Sequence, residues 1–194
     1  MSLSLIPREI SKEELANFPV DFFKGKIHLV ETLEMVEMAY ETLRKERIIG
    51  LDTETKPAFK KGVVHKVALL QLATIEEVFV FRLNKIGLPE PIVDILNHRG
   101  ILKAGIALHD DIKDLHVLNR TCRAQNTVDL NKFAQNLGFE SIGAKKLSAL
   151  VLGFTISKGE QTSNWEAEKL SESQLRYAAT DAWICNLIYR KLSE

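Results

Sequence analysis

Two acids at the end of an apolar run could share one piece of chemistry: Asp52 and Glu54 in Ile48-Ile49-Gly50-Leu51-Asp52-Thr53-Glu54-Thr55. The aliphatic residues around Gly50 read as a buried strand. Side chains alternate faces along a strand, so the two carboxylates point the same way and Thr53 points the other. Like charges held together raise each other's pKa unless a cation lies between them. Magnesium, a hard cation, supplies that charge and takes oxygen ligands. An ordinary strand running into a solvated acidic turn has the same tripeptide, so the pair alone decides nothing.

Two further stretches offer acids. In Gly105-Ile106-Ala107-Leu108-His109-Asp110-Asp111-Ile112-Lys113-Asp114-Leu115, three of them compete near a helix start. Asp111, Leu115 and Leu118 share one helical face at i, i+4 and i+7, which turns Asp111 inward; Asp110 is the fallback, one residue out of register. Asp110 and Asp114 flank Lys113, as on a solvated face. In Tyr177-Ala178-Ala179-Thr180-Asp181 the tyrosine and the acid stack one turn apart, in line with Ile184 and Ile188. An acid on a buried face is costly without a partner. A nearby Lys or Arg would serve as well as a metal, so this pair too is undecided alone.

Taken together the signals sharpen. Four carboxylates from three distant segments cannot converge without cations, and two divalent ions, Mg2+ or Mn2+, held ~4 Å apart serve phosphodiester cleavage. Tyr177 would then orient the attacking water, since an unperturbed pKa of ~10 is high for a base.

These residues must be positioned by elements the pattern lets us place. Lys26 to Val30 reads as a short strand and Glu31 to Lys45 as a helix, with Leu33, Val36, Tyr40 and Leu43 at helical spacing. Val67 to Ala73 and Val78 to Arg82 are strands whose short connection permits only an antiparallel hairpin. Between Thr55 and Lys66 lies a loop with Lys56, Lys60, Lys61, His65 and Lys66, either a phosphate-contacting lip or a solvated loop. Further along, Pro89 to His98 is a helix, Ile101 to Ala104 a strand, Asp110 to Leu118 a helix and Val128 to Leu130 a strand. Helices then close at Gly138 and Gly153, and a last one starts at the Ser171 capping box and runs to about Leu192. Three antiparallel strands followed by parallel ones, with helices on both faces, make an α/β mixed sheet. Residues 1–26, broken by Pro7 and Pro19, read as an N-terminal arm, and 27–194 as the domain proper.

The bulk numbers bound the rest. A chain of 194 residues, 45% hydrophobic and 27% charged, describes one globular domain with a substantial core. Lys+Arg and Asp+Glu both number 26, which says nothing about nucleic acid, because a nuclease needs a local basic strip rather than a basic whole. Cys122 and Cys185 read as free thiols of a reducing cytoplasm. Neither a signal-peptide pattern nor an apolar run of ~18 residues is present, and no protein partner can be inferred.

With these residues in view, the chain resembles the DEDD superfamily of 3′–5′ exonucleases. "IIGLDTET" is similar to its first motif, "HDDIKDL" to its second and "YAATD" to its third, and the Tyr-x3-Asp spacing selects the tyrosine subgroup. "KVALLQLAT" and Ser163-Asn164-Trp165 are also similar to ribonuclease D and to the exonuclease domain of Werner-type helicases. The resemblance spans about Ile27 to Leu192. It implies an RNase H-like fold, two metal ions, and stepwise release of nucleoside 5′-monophosphates from a single-stranded 3′ end of DNA or RNA. It assigns metal binding to Asp52, Glu54, Asp111 and Asp181 and water positioning to Tyr177. Thr53, Lys56, Lys158 and Ser163, near the motifs, are expected at the substrate. Two rivals stand beside it. A haloacid-dehalogenase-type phosphatase also opens on acid-x-acid-x-Thr but needs a parallel sheet, and a catalytically inactive nucleic-acid-binding module would keep the fold alone.

Overall fold

A computed structural model describes residues 5–60 and 62–194; Lys61 of the basic loop lies outside the described residues. The elements in chain order are α1 (Lys12–Ala16), β1 (Lys26–Val30), α2 (Leu33–Leu43), β2 (Ile48–Thr55), β3 (Val67–Ala73) and β4 (Glu77–Arg82). There follow α3 (Leu83–Ile86), α4 (Glu90–Asn97), β5 (Leu102–Gly105), α5 (Leu108–Leu118), β6 (Thr127–Asp129), α6 (Leu130–Asn136), α7 (Ala144–Leu147) and α8 (Glu172–Ser193).

The six strands form one sheet in the order β1-β4-β3-β2-β5-β6. β3 runs antiparallel to both its neighbours, while β1 joins β4, and β5 and β6 follow β2, in parallel. The mixed α/β architecture expected from the pattern is the one observed. An antiparallel strand in the middle of the sheet also removes the phosphatase reading, which required a parallel one. The β3–β4 hairpin is closed by Thr74, whose N–H donates to Glu77 O (2.9 Å) and whose hydroxyl accepts from Glu77 N (2.9 Å).

Helices cover both faces. On one, Val36 and Leu43 of α2, Ile92 and Leu96 of α4 and Leu115 of α5 pack against Ile49, Leu51, Leu70 and Leu72. On the other lies α8. Its small residues Ala178, Ala179 and Ala182 meet Leu69, Ala73 and Val80, and Ile184 and Ile188 meet Ala104, Leu130 and Val151. This second contact is unusually close at Gly50: a Cβ there would lie 1.9 Å from Ala182 O, so only glycine lets the helix approach. Asn186, fully buried, stitches the same contact by donating from Nδ2 to Ile48 O and Ala73 O (both 3.0 Å).

Several boundaries differ from expectation. The arm contains α1, begun by a capping box in which Ser11 Oγ accepts from Glu14 N and Ser11 N donates to the Glu14 carboxylate. α2 starts at Leu33 because Thr32 caps it, and Leu33 at its first position stays 64% exposed rather than packing. α5 begins two residues early, at Leu108, whose N–H donates to Asp129 Oδ2 (3.2 Å). α7 continues as a wide π turn over Ser148–Leu152 and ends at Gly153 with φ 82°. Cys122 and Cys185 are buried free thiols.

Candidate active site

The site is built where the end of β2 passes under the first half of α8. Asp52 and Glu54 share the α8 face, Asp52 lying opposite Gln71 and Glu54 opposite Leu69 of β3. The approach permitted at Gly50 lowers Asp181 onto them, and one oxygen from each of Asp52, Glu54 and Asp181 lies within 4.8 Å of the others. Tyr177 stands one turn before Asp181, its hydroxyl close enough to hold the Asp181 pKa down. Thr53 alternates to the opposite face and there donates to Asp111 Oδ1 at the first turn of α5. Asp111 therefore reaches the strand end from the far side. It stands outside the group of three, although its charge bears on Asp52 and Glu54. Asp110, the fallback, is exposed.

The electrostatics follow from this crowding. Burial, then Asp181 and Asp111, push Glu54 up to about 9. Burial lifts Asp181 to about 7, against the Tyr177 hydroxyl and the Lys158 charge, which both hold it down. Asp52 is driven well above the carboxylate range by burial first, then by Asp181, Glu54 and Asp111. Asp111 is raised by burial despite the bond from Thr53. Tyr177 is pushed above its ordinary value by burial and by the Asp181 and Glu54 charges.

These carboxyls cannot all ionise unless a cation joins them. Asp181 Oδ1 is buried with no hydrogen-bond partner among the described residues. An orphan oxygen, in an all-oxygen donor set, fits a hard divalent ion.

The expected substrate residues ring this centre but are engaged with the protein's own acids. Lys56 Nζ pairs with Glu166 Oε2 (3.3 Å), and His65 Nδ1 lies 3.2 Å from Glu166 Oε1, tying the basic loop to the segment before α8. Ser163 Oγ donates to the Glu160 carboxylate. Lys158 is exposed, its charge bearing on Asp181.

Other residues that matter here were given no role by sequence reasoning, although Gln71 and Trp165 lie in the stretches that carry the resemblance. Gln71, wholly buried opposite Asp52, leaves both amide atoms without a partner among the described residues. Trp165, also fully buried, packs 5.9 Å from the Tyr177 ring. Arg82, fully buried, donates from Nη2 to Ala167 O (2.5 Å) and pairs with Glu31 (3.2 Å), so the loop after Trp165 is pinned to β4. The signal was readable for Gln71, a polar residue inside the apolar run Val-Ala-Leu-Leu-Gln-Leu-Ala.

Comparison with known proteins agrees with this geometry. A 3′–5′ exonuclease family profile matches residues 27–194. A protein of Acanthamoeba polyphaga mimivirus is 32% identical over 163 residues, covering 76% of this chain and 40% of its own length. A 3′–5′ exonuclease of Arabidopsis thaliana is 29% identical over 206 residues, covering 95% of this chain and 69% of its own. Escherichia coli RNase D superposes with a TM-score of 0.78 at 25% identity, over 87% of this chain and 44% of the RNase D chain. This chain thus spans less than half the length of two of these three. With the profile covering nearly all of it and the carboxylates gathered as described, the chain belongs to the DEDD-type 3′–5′ exonuclease family.

Proposed function

We propose that residues 27–194 form a metal-dependent 3′–5′ exonuclease domain, with 1–26 as an arm, that hydrolyses phosphodiester bonds of DNA or RNA from a single-stranded 3′ end. The products are nucleoside 5′-monophosphates. The observation that carries the reading is the triple of Asp52, Glu54 and Asp181 oxygens within 4.8 Å, one of them buried and unpartnered. These three residues would hold two divalent cations, Mg2+ or Mn2+, with Asp111 contributing from the other side of the strand end. Cations held there would supply a lowered pKa for an attacking water and stabilisation of the leaving oxygen.

The chain's own groups do the positioning. Tyr177, its pKa raised, stays a neutral phenol at working pH, so it orients the water through its hydroxyl rather than taking the proton. Thr53 fixes Asp111. Lys158 and Ser163 stand on the loop side, where a strand would approach, and Lys56 reaches phosphate only by exchanging its Glu166 partner. The absence, among the described residues, of any helix long and apolar enough to cross a membrane is compatible with a cytoplasmic enzyme.

The test is a set of 3′- and 5′-labelled oligonucleotides, DNA and RNA, incubated with and without manganese. Expected is a ladder of products shortened from the 3′ end that depends on the ion and vanishes in Asp52→Asn and Asp181→Asn. A tenth or more of the wild-type rate in either variant would remove the two-ion scheme. Uncut strands that are nonetheless bound would leave a non-catalytic module.

A further inference from the structure

Beside the carboxylate cluster lies a cavity of ≈ 240 Å³ that the exonuclease assignment does not use. Its walls are Val20 and Phe22 of the arm, Ser157 and Gly159 of the loop before α8, and Arg176 and Tyr177 of α8. Two of these, Val20 and Phe22, precede residue 27, where the family match begins.

The arm here is built in rather than draped. Thr155 N donates to Pro19 O (2.8 Å), Asp21 N donates to Thr155 O (2.9 Å), and Phe23 N donates to Thr180 Oγ1 (3.0 Å). Phe23 is buried beside Trp183, with ring centroids 5.6 Å apart. Between these anchors Phe22 is held at the surface, 38% exposed, with the Arg176 guanidinium 4.5 Å and the more exposed Lys24 ammonium 5.6 Å from its ring centroid. A planar cation thus backs an aromatic ring that is still partly open. That is the arrangement on which a base stacks.

The location is equally specific. Tyr177 is a wall of this cavity and also a neighbour of Asp181, so an occupant would sit next to the reacting atoms. Lys158, between Ser157 and Gly159, carries the positive charge along the edge shared by cavity and cluster. Inside the cavity, Asp21 and Glu160 oppose phosphate. The backbone of a strand would therefore keep to the Lys158 side and turn a base inward. The volume lies under the ~300–1,000 Å³ of pockets for drug-sized ligands, which suits a single nucleoside.

Resting on the exonuclease reading above, we propose that this cavity is a nucleobase subsite, in which Phe22 of the arm, backed by Arg176, stacks on one base of the substrate strand near its 3′ end. Stacking is tolerant of base identity, so the subsite adds grip without reading sequence.

The experiment replaces, one at a time, each of the last four nucleotides of an oligonucleotide with an abasic unit. Cleavage (kcat and KM, with manganese) and binding (fluorescence anisotropy in EDTA, which stops cleavage) are measured for the full wild-type chain, Phe22→Ala and Phe22→Trp. Expected is one position at which loss of the base weakens wild-type binding and raises KM about tenfold, the size of one base stack. Phe22→Ala should bind the intact strand as weakly as the abasic one and show no further penalty there, while Phe22→Trp keeps the penalty. Phe22 is at the surface, so the variants should melt with the wild type. An abasic penalty equal in wild type and Phe22→Ala at every position overturns the subsite while leaving the nuclease intact. Phe22-dependent binding without cleavage would sink the exonuclease reading and keep the subsite. Neither binding nor cleavage by the wild type sinks both.

Discussion

At the scale of single residues, the site is a store of unfavourable charge. Asp181 is raised from 3.8 to about 7 and Glu54 from 4.5 to about 9, burial being the main cause in each. Raised values mean that the folded chain holds more protons than the unfolded one, so stability must fall with rising pH. The contribution is complete below the unfolded values and is lost as pH climbs through about 7 for Asp181 and about 9 for Glu54. Without divalent ions the melting temperature should therefore decline from weakly acidic to alkaline buffer. Asp181→Asn should melt higher than wild type at alkaline pH and show a shallower decline. Manganese should reverse the wild-type trend, since a cation favours the ionised carboxylates, and the gain should grow with pH. A melting temperature of the ion-free protein that holds flat across this range would mean the carboxyls are not crowded as described. The alternation that sends Asp52 and Glu54 to one face was legible in the sequence, and so was its corollary for Thr53. That Thr53 would meet Asp111 was not legible, because it depends on how far α5 leans toward the strand end.

At the scale of elements, the decisive contact is α8 against β2. The helix itself was legible from the Ser171 capping box and from an apolar line ending at Leu192. Its depth was not: Gly50 read simply as a small residue in an apolar strand, and only packing shows that Ala182 O occupies the place of its missing Cβ. Asn186 is a similar case, a polar residue in an aliphatic helix whose two acceptors come from different strands. Gly50→Ala should force the helix outward and cost about 1–3 kcal/mol, the usual range for overpacking, read by urea unfolding. Because the shift carries Asp181 away from Asp52 and Glu54, cleavage should fall far more than the folded fraction does. Asn186→Ala removes one buried donor from each of the Ile48 and Ala73 carbonyls, at about 1–3 kcal/mol in all. Its effect should be mainly on stability. Equal losses of activity in the two variants, at matched folded fraction, would contradict a positional role for Gly50. The hairpin of β3 and β4 was the easiest element to read, since its short connection leaves no other geometry, whereas α1 was hidden by the prolines on either side of it.

At the scale of the whole molecule, the arm raises the question of where the folding unit begins. Its contacts are spread along its length. Ile6 and Ile10 are buried, Arg8 O accepts from Glu140 N (2.8 Å) and Ser141 N (3.2 Å), and Phe23 packs under α8. None of these contacts supplies a strand to the sheet or an acid to the cluster, and the family match starts only at residue 27. A chain shortened to begin at Gly25 should therefore fold with its sheet and carboxylates in place. It should lose the burial of Ile6, Ile10 and Phe23, each worth ~1.5–3 kcal/mol before the recovered chain entropy is subtracted. The expected result is a cooperative transition at markedly lower temperature, with cleavage of short oligonucleotides retained in the cold. Loss of Phe22 with the arm should at the same time weaken binding of those oligonucleotides by the factor expected for Phe22→Ala alone. A shortened chain with no cooperative transition would make the arm part of the core, and the division at residues 26 and 27 would then be one of sequence only.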